Sequence, residues 1–185
     1  MKRKIILIVF CAQLISCNNP SELSKKYNCP VNKSEKTLSV YDFKKNFKLD
    51  IITNWKTKLY YNNFESEIFT ADTTKQLTKS LILVASFSTG ILNIDSLFYR
   101  RVDSILKKNN LQIIDSGNQP YQSKPTYWYV AKGVKNGFSY HQFNLTTKRS
   151  ENTYFNVYSE IYGDTDINER ICETISLIEK VEFLQ

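Results

Sequence analysis

The stretch 80-SLILVASF-87 decides the fold that this sequence can adopt. Between Ser80 and Phe87 the residues are apolar almost without interruption, and most of them are aliphatic. A short apolar run of this kind is typical of a strand that is buried on both faces in the interior of a sheet. The run therefore predicts a sheet with covering elements on both of its faces.

The hydrophobic period changes after this run and predicts two principal helices. Asp95 is well placed to cap the first helix. The apolar residues of this helix recur at helical spacing and are Phe98, Val102, Ile105 and Leu106. The second helix follows Gly163, near the end of the chain. Its apolar stripe consists of Ile167, Ile171, Ile175, Ile178 and Val181.

Alternation of apolar and polar residues predicts the remaining strands. The predicted strands are residues 47–51, 59–61, 66–69, 111–116, 127–132, 138–145 and 154–162. Asn136-Gly137 is a typical two-residue hairpin turn between two of them. In chain order the elements are strands, a helix, strands and a helix, which indicates an α+β fold with a mainly antiparallel sheet.

This order of elements, together with particular residues, resembles the PsbP-like family. The resemblance is carried by the Phe47-Lys48-Leu49-Asp50-Ile51 strand leading to Trp55, the apolar strand at 81–87 before a helix, the aromatic hairpin at 127–143 and the final helix that runs into residues 178–183. It implies an α/β/α sandwich with two principal helices around a mainly antiparallel sheet. One departure is that the family usually has Pro before the Trp, where Thr53-Asn54 stands here. The resemblance also implies an accessory or binding role rather than an enzymatic one, and it assigns no functional residues.

The first residues have the pattern of an export signal. Lys2-Arg3-Lys4 precedes an apolar run that extends to Ile15. This run is shorter than the roughly 20 residues that a membrane-spanning helix needs. Leu14-Ile15-Ser16-Cys17 resembles the lipobox of bacterial lipoproteins. The resemblance implies cleavage before Cys17 and attachment of lipid to its thiol.

These observations predict a membrane-anchored lipoprotein of the bacterial cell envelope. The residue after Cys17 is Asn18 rather than Asp, which favours the outer membrane. We assign residues 1–16 to a lipoprotein signal peptide, 17–37 to the lipidated N-terminus and a flexible tether, and 38–185 to one PsbP-like domain. The formal net charge is +7, but Lys and acidic residues are interspersed, which is typical of a solvated surface and not of a nucleic-acid binder.

Two cysteines remain besides the expected lipid carrier. In an oxidising envelope Cys29 and Cys172 can pair, and the alternative is two half-buried thiols in separate places. Neither cysteine lies in a CxxC or Cys-His context, and the chain has a single histidine. We therefore expect no metal and no cofactor.

The sequence offers few candidates for catalysis. His141 alternates with Phe143 and Leu145 on a predicted strand, which is typical of a packed histidine. The nearest carboxylate pairs, Glu65/Glu67 and Asp164/Asp166, fit structural roles at a strand edge and at a helix N-terminus. The interpretation favoured by these patterns is a non-enzymatic binding or accessory module. The alternatives are a small envelope hydrolase that uses His141 and a carbohydrate- or peptide-binding lipoprotein.

Aromatic residues form the most prominent cluster in the second half of the chain. One interpretation is cross-strand packing beneath a helix, and the other is a groove for a ligand. The candidate ligand-binding residues are Tyr127, Tyr129, Tyr140, Tyr154 and Tyr158. The expected partners are the membrane, through the lipid, and an envelope protein or small ligand.

Overall fold

The computed structural model describes residues 20–30 and 36–184. Within these ranges the helices are α1 (Glu22–Lys26), α2 (Ser96–Lys108) and α3 (Ile167–Ile178). The strands are β1 (Thr37–Tyr41), β2 (Phe47–Ile52), β3 (Lys56–Tyr61), β4 (Glu65–Ala71), β5 (Leu81–Thr89), β6 (Leu111–Gly117), β7 (Thr126–Lys135), β8 (Phe138–Lys148), β9 (Thr153–Tyr162) and β10 (Glu182–Phe183). None of the helices in the described ranges is both long and apolar enough to span a bilayer.

Seven strands form a large antiparallel sheet in the order β3-β4-β5-β9-β8-β7-β6. The apolar run quoted above forms β5, which lies in the interior of this sheet between β4 and β9, as predicted. The strands β1, β2 and β10 form a second, three-stranded sheet. Asn136 and Gly137, both with positive φ, form the predicted hairpin turn between β7 and β8.

The main core lies between the large sheet on one side and α3 and the small sheet on the other. Trp128 from β7, Phe143 from β8 and Phe155 from β9 are fully buried there. Phe47 of β2 meets them from the small sheet, and Ile175 from α3. Burying a side chain of this size stabilises a fold by roughly 1.5–3 kcal/mol.

The helix α2 packs on the opposite face of the large sheet, so the predicted helix–sheet–helix layering is confirmed. The Oδ1 atom of Asp95 accepts hydrogen bonds from the backbone N–H groups of Leu97 (3.0 Å) and Phe98 (2.9 Å), which caps α2 as expected. Leu106 is buried against the sheet, but Ile105 is 59% exposed. Because α2 lies near the edge strand β6, it buries only a narrow face. The predicted apolar stripe of α2 is therefore wrong at Ile105, which is exposed and does not pack against the sheet.

The stripe of the last helix also needs one correction. The helix α3 ends at Ile178, and Val181 lies beyond it. Val181 is still buried in the main core, because the chain turns back toward the sheet after the helix and enters β10.

Residues 20–30 are folded onto the domain, which corrects their assignment to a flexible tether. The hydroxyl of Ser24 donates to Oε1 of Glu179 (2.8 Å), and the side-chain amide of Asn168 donates to the carbonyl of Tyr27 (2.9 Å). Leu23 is buried in the main core. Within this mostly polar segment, Leu23, Tyr27 and Cys29 pack against the main core, which the overall composition does not reveal. The signal peptide and Cys17 lie outside the described residues.

The disulfide between Cys29 and Cys172 joins the end of this segment to α3, with their Cα atoms 5.2 Å apart. Replacing Cys29 with Ser is expected to lower the free energy of unfolding by about 5 kcal/mol, because the bridge links residues 143 positions apart and restricts the unfolded chain. Urea unfolding of the oxidised wild type and of the variant measures the difference.

Reduction with dithiothreitol provides the control for this prediction. It should destabilise the wild-type protein by the same amount and leave Cys29→Ser unchanged. Equal stability of the oxidised wild type and the variant would contradict the stabilising role of the disulfide.

Candidate functional site

The face of the large sheet that carries α2 is only half covered. On the β4 and β9 half, alternate side chains of the strands remain partly exposed. We call this region the open face and define it by Glu65, Glu67, Tyr154, Tyr158 and Glu160. The register explains the grouping, because antiparallel pairing through β5 brings alternate residues of β4 and β9 to the same side of the sheet.

Polar side chains continue the open face into the middle of the sheet. The side-chain amide of Asn144 donates to Oδ1 of Asn156 (3.2 Å), and the hydroxyl of Thr146 donates to the same atom (2.7 Å). The hydroxyl of Ser88 donates to Oε1 of Glu65 (3.1 Å). Asn144 and Thr146 are buried, and these hydrogen bonds satisfy their polar groups.

One end of the open face already holds a cation. The Nζ atom of Lys135 lies 2.6 Å from Oε1 of Glu160 and 5.0 Å from the centre of the Tyr140 ring. Burial is the largest single influence on the pKa of Lys135 and lowers it, but the hydrogen bonds and charge interactions with Glu160 and Tyr162 together outweigh burial, so the pKa is raised. Tyr162 donates a second hydrogen bond to Glu160 (2.9 Å). A carboxylate and aromatic rings therefore form a ready environment for a positive charge.

The other end of the open face has carboxylates without such a cation. Within residues 20–30 and 36–184, no ammonium or guanidinium group forms a salt bridge with Glu65 or Glu67. Burial raises the pKa of Glu67, and the nearby charge of Glu65 raises it further. This acidic area lies in a chain whose formal net charge is +7, and it favours a ligand group with a positive charge.

A pocket of about 320 Å³ opens at this acidic end. It is lined by Glu65, Ser88 and Tyr154 of the sheet and by the turn at 62–64. Its volume falls within the range of ligand sites. The pocket adds hydroxyl groups and a ring to the carboxylates of the open face.

The five candidate tyrosines are separated by α2. Tyr127, Tyr129 and Tyr140 are buried beneath the helix, with exposed fractions of 6%, 6% and 3%. The ring of Tyr127 lies 5.6 Å from that of Phe98 in α2, and burial raises the pKa of Tyr129. These three rings offer no surface to a ligand and form the cross-strand packing that was the alternative interpretation. Tyr154 and Tyr158 reach the open face.

His141 lies on the core side of the sheet and not on the open face. It is 4% exposed, and it lines neither the pocket beside Glu65 nor a second pocket beside Leu23. Burial, Lys132 and Arg170 lower its pKa, and Asp164 acts in the opposite direction. The hydrolase alternative needs an accessible histidine, so this geometry does not favour it. Among the described residues, no group of His, Cys, Asp and Glu side chains could hold a metal ion.

The sequence analysis missed a second group of aromatic and apolar side chains, which are exposed on β1, on β3 and in the adjoining turns. The aromatic members are Tyr41, Phe43, Tyr60, Tyr61 and Phe64. The rings of Phe43 and Tyr61 are stacked with their centres 3.7 Å apart. The alternation at residues 59–61 predicted a strand correctly, but it could not show that β3 lies at the edge of the sheet, where both faces are exposed.

No family model matches the sequence, and no curated protein matches it either. Solved structures share the fold. CyanoP, a cyanobacterial PsbP from Synechocystis sp., matches with a TM-score of 0.54 and 9% identity, over 83% of this chain and 97% of that chain. A variant of the protein Mog1 matches with a TM-score of 0.55 and 5% identity, over 81% and 97% of the two chains.

These similarities show that the chain has the PsbP/Mog1-like fold, and the predicted fold class is confirmed. LpqN, a protein involved in cell envelope biogenesis of Mycobacterium tuberculosis, matches with a TM-score of 0.45 and 13% identity, over 79% of this chain and 89% of that chain. A similarity as low as this one supports no inference about function. Identities below 25% show the fold alone.

The burial of His141 leads to a prediction about stability and pH. Because the folded protein holds the pKa of His141 below its usual value of 6.5, the unfolded chain binds this proton more readily. The neutral His141 makes its full contribution to the free energy of unfolding above pH 6.5, and this contribution is lost as the pH falls through the lowered pKa. The change in the free energy of unfolding that results from His141 is at most about 1.4 kcal/mol per pH unit.

Urea unfolding between pH 7.5 and the acid range tests this expectation. Since the chain has one histidine, His141→Gln removes the whole histidine contribution. The variant should lose less stability than the wild type as the pH falls just below 6.5. Parallel curves for the two proteins would contradict the prediction.

Proposed function

We propose that this chain is a lipid-anchored protein of the bacterial cell envelope that acts as a non-enzymatic binding or accessory module. The observation that carries the proposal is the N-terminal sequence, in which a basic start and a short apolar run lead to Leu14-Ile15-Ser16-Cys17. Asn18 after the cysteine supports the outer membrane as its location.

The chemistry of Cys17 explains how the anchor would work. A thiol is nucleophilic enough to take up a diacylglyceryl group as a stable thioether, and the small Ser16 gives a peptidase access to the bond before it. One acyl chain holds a protein at a membrane only marginally, whereas two or more hold it durably. An anchored domain is confined to a surface, which raises its effective concentration for partners at the same membrane.

The open face is the proposed recognition surface. Its carboxylates, partly exposed tyrosine rings and pocket suit a positively charged group on an envelope protein or a small ligand. Lys135 shows how a cation is held between Glu160 and an aromatic ring. No cofactor or nucleic acid is part of the proposal.

The anchor is tested by replacing Cys17 with Ala in the native host. The variant should incorporate no labelled palmitate and should remain uncleaved, because the acceptor sulfur is missing. Cys11→Ala is the matched control, since Cys11 lies in the apolar run and not at the proposed acceptor position. Intact-mass analysis and membrane fractionation give the readout. Acylation of the Cys17→Ala variant would contradict the assignment of Cys17 as the lipidated residue.

The recognition surface is tested by reversing charge at Glu67. Cross-linking in native membranes, followed by purification, should recover a bound species with the wild type and lose most of it with Glu67→Lys. Asp103→Lys reverses a charge at an exposed position of α2, and the bound species should still be recovered with this variant. Melting temperatures of both variants establish that they fold. Equal recovery from the two variants would argue against the open face.

A further inference from the structure

The turns at one end of the large sheet form a continuous surface. Antiparallel pairing in the large sheet brings together the turns at 62–64, 90–92, 118–125 and 149–152. The turn at 42–46, between β1 and β2 of the small sheet, joins them through Nζ of Lys44, which donates to the carbonyl of Asn63 (3.1 Å). Backbone hydrogen bonds link the turns of the large sheet to one another or to a neighbouring strand end. The bonds are Thr89 N–H to Phe64 O (2.7 Å), Gly90 N–H to Asn152 O (2.8 Å) and Lys148 N–H to Pro125 O (3.0 Å). We call this surface the anchor end.

The described chain also begins at the anchor end. Ser21 and Leu23 line a pocket of about 170 Å³ together with Gln119 and Tyr121 of the turn at 118–125. The hydrogen bond from Ser24 to Glu179 holds α1 beside the last turn of α3, at the same end of the sheet. Pro20 therefore leaves the domain here.

Only Asn18 and Asn19 separate Cys17 from Pro20. A fully extended chain spans at most about 3.6 Å per residue, so the Cα atom of Cys17 lies within about 11 Å of that of Pro20. A lipid on Cys17 would thus bring the anchor end to the bilayer surface. The length of the tether decides which part of the domain faces the membrane.

The anchor end exposes large apolar side chains. Ile91, Phe64, Tyr61 and Phe43 have exposed fractions of 73%, 69%, 59% and 54%. They come from three separate turns and from the end of β3, so no single flexible loop accounts for them. An exposed patch of this kind marks a surface that interacts with a protein or a membrane.

The charges of the same turns favour a membrane with anionic lipids. The exposed cations of the turns are Lys44, Lys45 and Lys124, whereas their acids are the exposed Glu151 and the buried Asp42. The guanidinium of Arg149 lies over the ring of Phe183, 3.6 Å from its centre. Aromatic rings settle at the level of lipid headgroups, and long basic side chains extend from apolar surroundings to reach phosphate. The combination of rings and cations matches the chemistry of a headgroup layer.

We propose that the anchor end rests on the bilayer that holds Cys17. Phe43, Phe64 and Ile91 enter the headgroup layer, and the lysines of the turn at 42–46 contact anionic phospholipid. This inference depends on the lipidation proposed above. It places the large sheet upright on the membrane, with the open face directed sideways and its pocket, which Phe64 also lines, next to the bilayer.

Tryptophan fluorescence in the full lipidated chain tests the orientation. Phe64→Trp places an indole at the anchor end, and Phe138→Trp places one at the opposite end, where Phe138 is 42% exposed beside the β7–β8 turn. The native Trp55 and Trp128 are buried and contribute equally to both variants. Each variant is purified from native membranes and reconstituted in vesicles of phosphatidylglycerol and brominated phosphatidylcholine.

The expected result is that Phe64→Trp loses most of its added fluorescence to the brominated lipid, while Phe138→Trp loses little. Equal quenching of the two variants overturns the orientation. Protection of Phe64→Trp from both brominated lipid and aqueous iodide also overturns it, because a protein or a second copy would then cover the patch. The quenching of Phe64→Trp should weaken when phosphatidylglycerol is omitted from the vesicles. If it does not weaken, the proposed contact between the lysines and anionic lipid is overturned.

Mass analysis of the same material separates the two proposals. If Cys17 carries no lipid, both the anchor and this orientation fail. If Cys17 is acylated and the two tryptophans are quenched equally, the orientation alone fails and the lipoprotein assignment stands.

Discussion

The pairing of β5 with β9 is the interaction on which the rest of the structure depends. It joins Leu81–Thr89 to Thr153–Ile161 in one antiparallel register, and it connects the two halves of the large sheet. A slip of β9 by one residue would turn Phe155 away from the core and bring Tyr154 and Glu160 into it. The core and the open face are therefore two consequences of one register.

The register also explains why the two faces of the sheet differ in chemistry. On the core side, α3 and the small sheet cover the strands, and apolar residues occupy alternate positions. On the other side, α2 covers the half formed by β6 and β7, where the buried tyrosines lie. The remaining half carries Glu65, Glu67 and Tyr158 next to buried amides and hydroxyls. The carboxylates and rings of this half are partly exposed, whereas the core side of the sheet is covered, and this makes the open face the better candidate for binding.

Much of the fold could be predicted because it follows from local patterns. The apolar run of β5, the Asp95 cap and the Asn136-Gly137 turn each have a physical signature within a few residues. The exposure of Ile105 and of the aromatic residues of β3 could not be predicted, because it depends on which strand ends the sheet. The separation of the five tyrosines by α2 has the same cause. The site depends on long-range placement. The sequence indicated Tyr154 and Tyr158 as binding candidates, but it gave Glu65 and Glu67 only a structural role and did not single out Glu160.

The N-terminal segment shows how one buried side chain can change a functional interpretation. Residues 20–30 are polar enough to suggest a tether, yet Leu23 and the bond between Cys29 and Cys172 hold them on α3. If Cys17 is acylated, the length available between lipid and domain is set by this docking and not by the polar composition up to residue 37. A short connection restricts orientation as well as distance, since the domain cannot turn freely when its attachment point is held near the bilayer. The same docking that stabilises the fold would then decide which surfaces a partner in the envelope can reach.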